Sequence, residues 1–362
     1  MSDQSGFDEA FWDLAASPEP PTSLVDLQAV LKGFPGTPLT VETVLVDADD
    51  PAVALMAGGD ALRRFGLIAA LRIPDDRGAF VLSLWPAGHA GVFHVVATVP
   101  STDDRWRRIE RRVGGAAPRV VPFYLDHDDF SAVGTTLGEH GDVEVSRVTA
   151  RDRTDQSSLT RGWPSRKGTI RPSPEDVIAF VDDSGASVRT MTLHIADMLA
   201  LHLRRRAGAT YYSGDFALFD ELVLGRLAAA GGRRHALLTG RQRKVGEQPG
   251  APLTVRLPGP VFVDAEATGL LIDALSRHRA LGIAVMHRNP YLHIVVTDYL
   301  DGSNFDVFVT DEAAIDIHPG YRASVGALGR LTELLAERFL AEDIAERPEP
   351  ASVSLDDLVA IA

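Results

Sequence analysis

One short segment of this chain occurs twice. Val44-Leu45-Val46-Asp47-Ala48-Asp49 returns as Val261-Phe262-Val263-Asp264-Ala265-Glu266. Each copy is followed by a helical stretch, three strand-like runs and an amphipathic helix. Internal similarity constrains a fold more than any single element, because it sets the domain map first. The spacing agrees between copies: Asp47 to Gly66 and Asp264 to Gly282 are of nearly equal length, and Ala61-Leu62-Arg63-Arg64 sits where Ala274-Leu275-Ser276-Arg277 sits. Element order alone adds a degenerate third copy between them.

Local signals support this order. Asp50-Pro51 and Ser173-Pro174 each offer a side-chain cap followed by proline, whose missing N–H costs nothing at a helix start. The first helix is predicted to run to about Arg64. Gly66–Ile73, Ala79–Trp85 and Gly91–Val99 read as strands between turn-like Pro/Asp/Gly clusters. Trp106, Ile109 and Val113 step by three and four, as one buried helix face does. Strands joined by short turns pair antiparallel, with helices on one face. The fold class is therefore α+β: a tandem repeat of strand, helix, three strands and helix, each unit an antiparallel sheet with helices on one face. In element order the unit resembles the TATA-binding-protein-like repeat and the small chaperone fold of type III secretion. No family is assigned from that resemblance.

The predicted organisation is a flexible N-terminal tail over 1–22, a first α+β unit with a strand-helix-strand appendix over 23–150, and a basic linker over 151–172. A middle, degenerate unit over 173–257, a third unit over 258–342 and a C-terminal tail over 343–362 complete it.

The absence of cysteine removes disulfides, thiolate metal sites and a cysteine nucleophile, and fits a cytoplasmic protein. The acidic N-terminus has no signal-peptide core. No apolar run reaches the roughly 20 residues of a membrane helix. Net charge is −14, divided as −9 over residues 1–140, +5 over 141–257 and −10 over 258–362. Such a chain repels nucleic acid and anionic membrane overall, although its basic middle could contact an anion or the neighbouring acidic units.

Candidate chemistry is sparse. Arg204, Arg205, Arg206, Arg241, Arg243 and Lys244 are candidate anion-binding residues, with Tyr211, Tyr212 and Trp163 nearby in sequence; arginine with aromatics can hold single-stranded nucleic acid. Asp126, Asp128 and Asp129 are weak metal-ligand candidates after a strand, although Asp before Phe130 is also an ordinary helix cap. Asp47 and Asp264 read as turn or cap residues. His287, His293 and His318 share one unit without a metal-binding motif. P-loop, dinucleotide-loop, nucleophile-elbow and SxxK motifs are absent.

Both ends carry acidic-apolar segments beyond a proline break. Phe7, Phe11 and Trp12 at one end, and Leu355, Leu358 and Val359 at the other, are candidate partner-docking residues. The favoured function is a non-catalytic cytoplasmic adaptor, chaperone or regulatory scaffold with a protein partner, no cofactor and no membrane association. The alternatives are a nucleic-acid-associated protein using the central basic segment, and a metal-dependent hydrolase centred on Asp126–Asp129.

Overall fold

Strand β1 (Leu39–Val46) is buried along its whole length and organises the first half of the chain. The computed structural model describes residues 2–17, 20–76, 78–153, 157–164, 171–246, 251–288 and 291–347. It divides into two compact units, Met1–Ala236 and Leu237–Ala362. Both are α+β, and the described strand pairings are all antiparallel.

In unit one, helices α1 (Ser2–Leu14) and α2 (Leu27–Gly33) precede β1. Helix α3 (Pro51–Leu55) follows; the Asp50 side chain caps it, accepting from Ala52 N and Val53 N. The predicted continuation to Arg64 does not form. Met56 is already extended, and the Asp60 carboxylate accepts from Ala57 N at 2.8 Å, closing a turn. The chain then runs as a meander: β2 (Ala61–Phe65), β3 (Ile68–Asp75), β4 (Gly78–Pro86) and β5 (Val92–Ala97). Helix α4 (Asp104–Gly115), capped by Asp103, leads to β6 (Val120–Pro122). Next come α5 (His127–Gly138), β7 (Val143–Asp152), β8 (Ser158–Gly162), α6 (Pro174–Asp183), β9 (Ala186–Ile195), β10 (Leu199–Arg204) and β11 (Gly208–Gly214). The short helix α7 (Phe216–Leu218), a π-helical turn (Phe219–Leu224) and α8 (Gly225–Leu238) close this half.

The strands of unit one form one sheet in the order β2-β3-β4-β5-β1-β11-β10-β9-β7-β8, with β6 beside β1. The expected boundary near residue 150 therefore does not separate two sheets: Leu39–Glu42 of β1 pair with Gly208–Tyr211 of β11. Within the expected linker, Arg151 and Asp152 end β7, and Ser158–Gly162 form strand β8, paired with β7.

One face of the meander buries Leu71, Ile73, Leu82, Leu84 and Val95 against Trp106, Ile109 and Val113 of α4, all fully buried. Strand alternation turns Trp85 and His94 to the opposite face. There α1 packs, which corrects the expectation of a flexible tail. Phe7, Phe11 and Trp12 are 2%, 3% and 7% exposed. Phe11 meets Trp85 and Phe65 with ring centroids 6.0 and 6.4 Å away, and the Arg63 guanidinium lies 4.2 Å above Trp12. Three aromatic residues at helical spacing had a core to cover. Helices therefore cover both faces here.

Unit two contains β12 (Leu253–Arg256), α9 (Ala265–Ser276), β13 (Leu281–His287), β14 (Leu292–Asp298), β15 (Asn304–Asp311), β16 (Ala314–Pro319), α10 (Val325–Phe339) and β17 (Asp343–Glu346). Its sheet order is β13-β14-β15-β16-β12-β17. Asp264 caps α9 by accepting from Ala267 N, and Ser324 caps α10. Ile294, Val296, Phe305, Val307, Ile315 and Ile317 form the buried face, with Leu271, Leu275, Leu331 and Leu335 supplying the buried faces of the helices. The sheet extends past the expected limits of 258 and 342 at both ends, because β12 and β17 pair with each other.

The two meanders share their connections. In unit one, β1, α3, four consecutive strands, α4 and β6 follow one another, and β1 pairs with both β5 and β6. In unit two, β12, α9, four consecutive strands, α10 and β17 do so, and β12 pairs with both β16 and β17. The repeated sequence segment is not aligned with this order. Val44–Val46 lie in β1, whereas Val261 and Phe262 lie outside any strand and lead into the α9 cap. Likewise Ala61–Arg64 are strand, but Ala274–Ser276 are helix.

Candidate binding groove

Trp85 on β4 and His94 on β5 are direct cross-strand partners on the outer face of the unit-one meander. They form the floor of a groove of about 840 Å³, within the range of ligand pockets. Trp85 is held in place: its Nε1 donates to Ser83 Oγ at 2.8 Å, and Phe65 meets its ring edge-on at 6.3 Å. His94 is 4% exposed. Burial lowers its pKa to about 4, so the ring is neutral at pH 7. Its Nδ1 lies 3.0 Å from Thr43 Oγ1 on the neighbouring strand. The Thr43 hydroxyl has no other described acceptor, so donation to Nδ1 satisfies it and leaves the proton on Nε2. Nε2 has no described partner.

Three chain segments raise the walls. Pro20–Leu24 form one side, fixed where Thr22 N and Ser23 N donate to Asp26 Oδ2 at 2.7 and 2.9 Å. The β2–β3 turn gives Phe65 to Ile68; Gly66 there has φ +61°, and Leu67 projects with 81% exposure. The third wall is Asp220, Glu221, Leu224, Gly225 and Ala228. This wall exists because the helix widens. Gly225 N–H donates to Asp220 O, five residues back, which is the π-helical pattern often found at functional sites. Phe219, Leu222, Val223 and Leu224 stay buried, while the Asp220-Glu221 pair lines the groove. Burial, then the neighbouring Glu221, raises the Asp220 pKa.

The groove was not visible in the sequence. Trp85 and His94 carry the ordinary alternation of a strand, and Asp220-Glu221 stand between apolar neighbours of a helix. A π turn leaves no residue signature that would shift that reading.

The sequence-predicted residues lie elsewhere. Arg204 and Arg205 are each 9% exposed. Arg204 Nη1 donates to Glu110 Oε1 at 3.2 Å and Nη2 to Val41 O at 3.2 Å, with its guanidinium 4.9 Å from the Trp106 ring. Arg205 Nε donates to Leu125 O, and Arg206 Nε to Glu42 Oε1 at 2.8 Å. Glu42 is fully buried, so its pKa is raised by desolvation against the pull of Arg206 and Arg204. Arg204 and Arg206 brace β1 and α4, and Arg205 holds the segment between β6 and α5, instead of the three forming one anion-binding patch. In unit two, Arg241 donates to Leu237 O, Ala251 O and Glu346, and Arg243 lies 5.6 Å from the Tyr321 ring, with Lys244 next in the same loop.

Asp126 caps α5, accepting from Asp129 N at 2.7 Å, and Asp129 pairs with Arg233. Asp128 lies in the first turn of the same helix. Among the described residues no three His, Asp or Glu side chains converge to hold a metal ion. His293 stacks on Phe308 at 4.2 Å and bonds Asp306 at 2.9 Å; His318 meets Phe308 edge-on at 5.2 Å, and His287 lies 5.7 Å from Tyr291. Leu355, Leu358 and Val359 lie outside the described residues. Among the described residues no helix is long and apolar enough to cross a membrane. No protein-family model matches the chain, and no curated protein matches it.

Proposed function

We propose that this chain is a non-catalytic cytoplasmic adaptor, chaperone or regulatory scaffold that holds a segment of a partner protein in the unit-one groove. The observation that carries this reading is the groove itself: a concave site with an aromatic floor, beside a leucine that is four-fifths exposed. Exposed apolar surface next to a preformed cleft is where partner side chains gain most from leaving water.

The chain is also proposed to have arisen by duplication of a strand-helix-meander-helix-strand unit. The shared connections of the two meanders support this, with the copies offset so that the helix caps Asp50 and Asp264 correspond. In that case both meanders descend from one ancestor, and only unit one acquired the chain segments that wall a groove. The segment bearing Leu355, Leu358 and Val359 remains a proposed docking element: deleting residues 348–362 should abolish partner co-purification with little change in Tm.

The direct test is a photo-crosslinking residue placed at Leu67 in the native host, with Val53 on α3, 51% exposed, as the control position. A discrete crosslinked protein at Leu67 alone is expected. Equal crosslinking at both positions, or none at Leu67, would remove the groove reading.

A further inference from the structure

The groove has a chemical polarity that selects its occupant. Resting on the reading of the groove as the partner site, we infer that it takes a cationic, apolar peptide segment, with a lysine or arginine of that segment seated at Asp220 and Glu221 and its backbone carbonyl on His94.

Three independent features point the same way. First, no described residue gives Asp220 or Glu221 an ion pair or side-chain hydrogen bond. Two adjacent carboxylates on one turn repel each other, and a cation between them relieves that repulsion and the burial of Asp220 together. Second, His94 is nine-tenths buried or more, lines the groove and has an Nε2 without a described partner. With Thr43 donating to Nδ1, Nε2–H is a fixed donor with no acceptor, which a peptide carbonyl would supply. Third, apart from Thr22 and Ser23 the remaining side chains of the lining are apolar, among them Pro20, Pro21, Phe65, Leu67, Trp85 and Leu224.

A cation, a carbonyl acceptor and apolar side chains occur together at short spacing in a basic-apolar peptide. An acidic peptide would bring like charge to Asp220 and Glu221, and a nucleic-acid strand would do the same with phosphates. The net charge of −14 adds a long-range attraction for basic segments, which increases encounter but does not choose the site.

The experiment uses the full chain and two labelled 12-residue peptides, one alternating Lys and Leu and one with Glu in place of every Lys, followed by fluorescence anisotropy. The Lys-Leu peptide should bind and the Glu-Leu peptide should not. The double variant Asp220→Asn/Glu221→Gln, which keeps shape and removes charge, should weaken binding about tenfold. The variant Glu139→Gln/Asp183→Asn removes the same charge from exposed helix ends and should leave affinity within about twofold, which excludes attraction to net charge alone. Equal binding of both peptides, or equal weakening by the two double variants, overturns the inference. Leu67→Ser separates it from the groove reading. Binding lost with Leu67→Ser but untouched by the Asp220/Glu221 variant leaves the groove standing and sinks the charge selection. Binding indifferent to both sinks the two together.

Discussion

The two meanders have the same connections and opposite exposure. In unit one the outer face carries α1, whose Phe11 rests on Trp85. In unit two the equivalent strands alternate between buried and half-buried residues, and His293, Asp306, Phe308 and His318 lie on the half-buried side. An aromatic ring and an imidazole stand on the third and fourth strands in both places: Trp85 beside His94, Phe308 beside His318. What differs is the flanking chain. A helix precedes β1, and a widened helix returns after β11; β12 is preceded instead by a polar loop whose described ends include Arg241 and Ala251. The lesson is that a groove arises when a sheet face is partly covered, because segments that bury most of a face leave walls around the remainder.

The sharpest test of this contrast compares the two rings. Trp85→Ala should cost about 3–5 kcal/mol, as a fully buried aromatic does. Phe308→Ala should cost about 1 kcal/mol, since its outer face keeps access to water. Urea unfolding measures both, and equal losses would mean that the faces are covered alike. A second contrast concerns charge. Arg206→Met leaves Glu42 buried without its partner and should destabilise unit one by about 3–5 kcal/mol; a loss under about 1 kcal/mol would show that Glu42 is already protonated or reaches water.

The cover of unit one should also respond to pH. Asp8 on α1 accepts from Thr98 Oγ1 at 2.5 Å, and its pKa is raised to about 6, chiefly by burial. A folded pKa above the unfolded value contributes stability below about pH 4 that is lost as pH rises through 6. Relative to Asp8→Asn, the natural chain should lose about 2–3 kcal/mol across that window, read as faster hydrogen exchange in α1. No such window is expected in the Asp8→Asn chain; an unchanged profile would place the titration elsewhere. The smallest expected effect is on nucleic acid: affinity should be weak and steeply salt-dependent, and Arg241→Ala/Arg243→Ala/Lys244→Ala should lower it about two- to tenfold through fewer phosphate contacts. Tight binding at high salt would reverse this ranking.

Much of the element order was legible in residues. Caps at Asp50, Ser173 and Asp264 mark helix starts because their side chains satisfy free N–H groups, and Trp106, Ile109 and Val113 marked one buried helix face. Pairing between distant strands was not legible. Nothing in Leu39–Glu42 indicates that their partners lie at 208–211, so one sheet was divided at a polar stretch. The aromatic residues of α1 were read as a docking segment on a flexible tail, because a short sequence cannot show whether an apolar face meets its own sheet or a partner. The groove was hidden for a related reason: it depends on three segments meeting and on a turn widened by one residue.

The central place of β1 also has a consequence in time. During synthesis, β5 can cover one edge of this strand early, but the edge at Leu39–Glu42 must wait for β11. At about 5–20 residues per second, the ribosome needs roughly 8–30 s to bridge that interval. Throughout it, an unpaired edge stays open and the carboxylate of Glu42 lacks Arg206, which emerges only just before β11. Until then the nascent chain presents an unpaired edge with which a neighbouring chain can pair. Anything that slows translation between residues 46 and 208 should lower the yield of folded protein without altering the stability of the molecules that do fold.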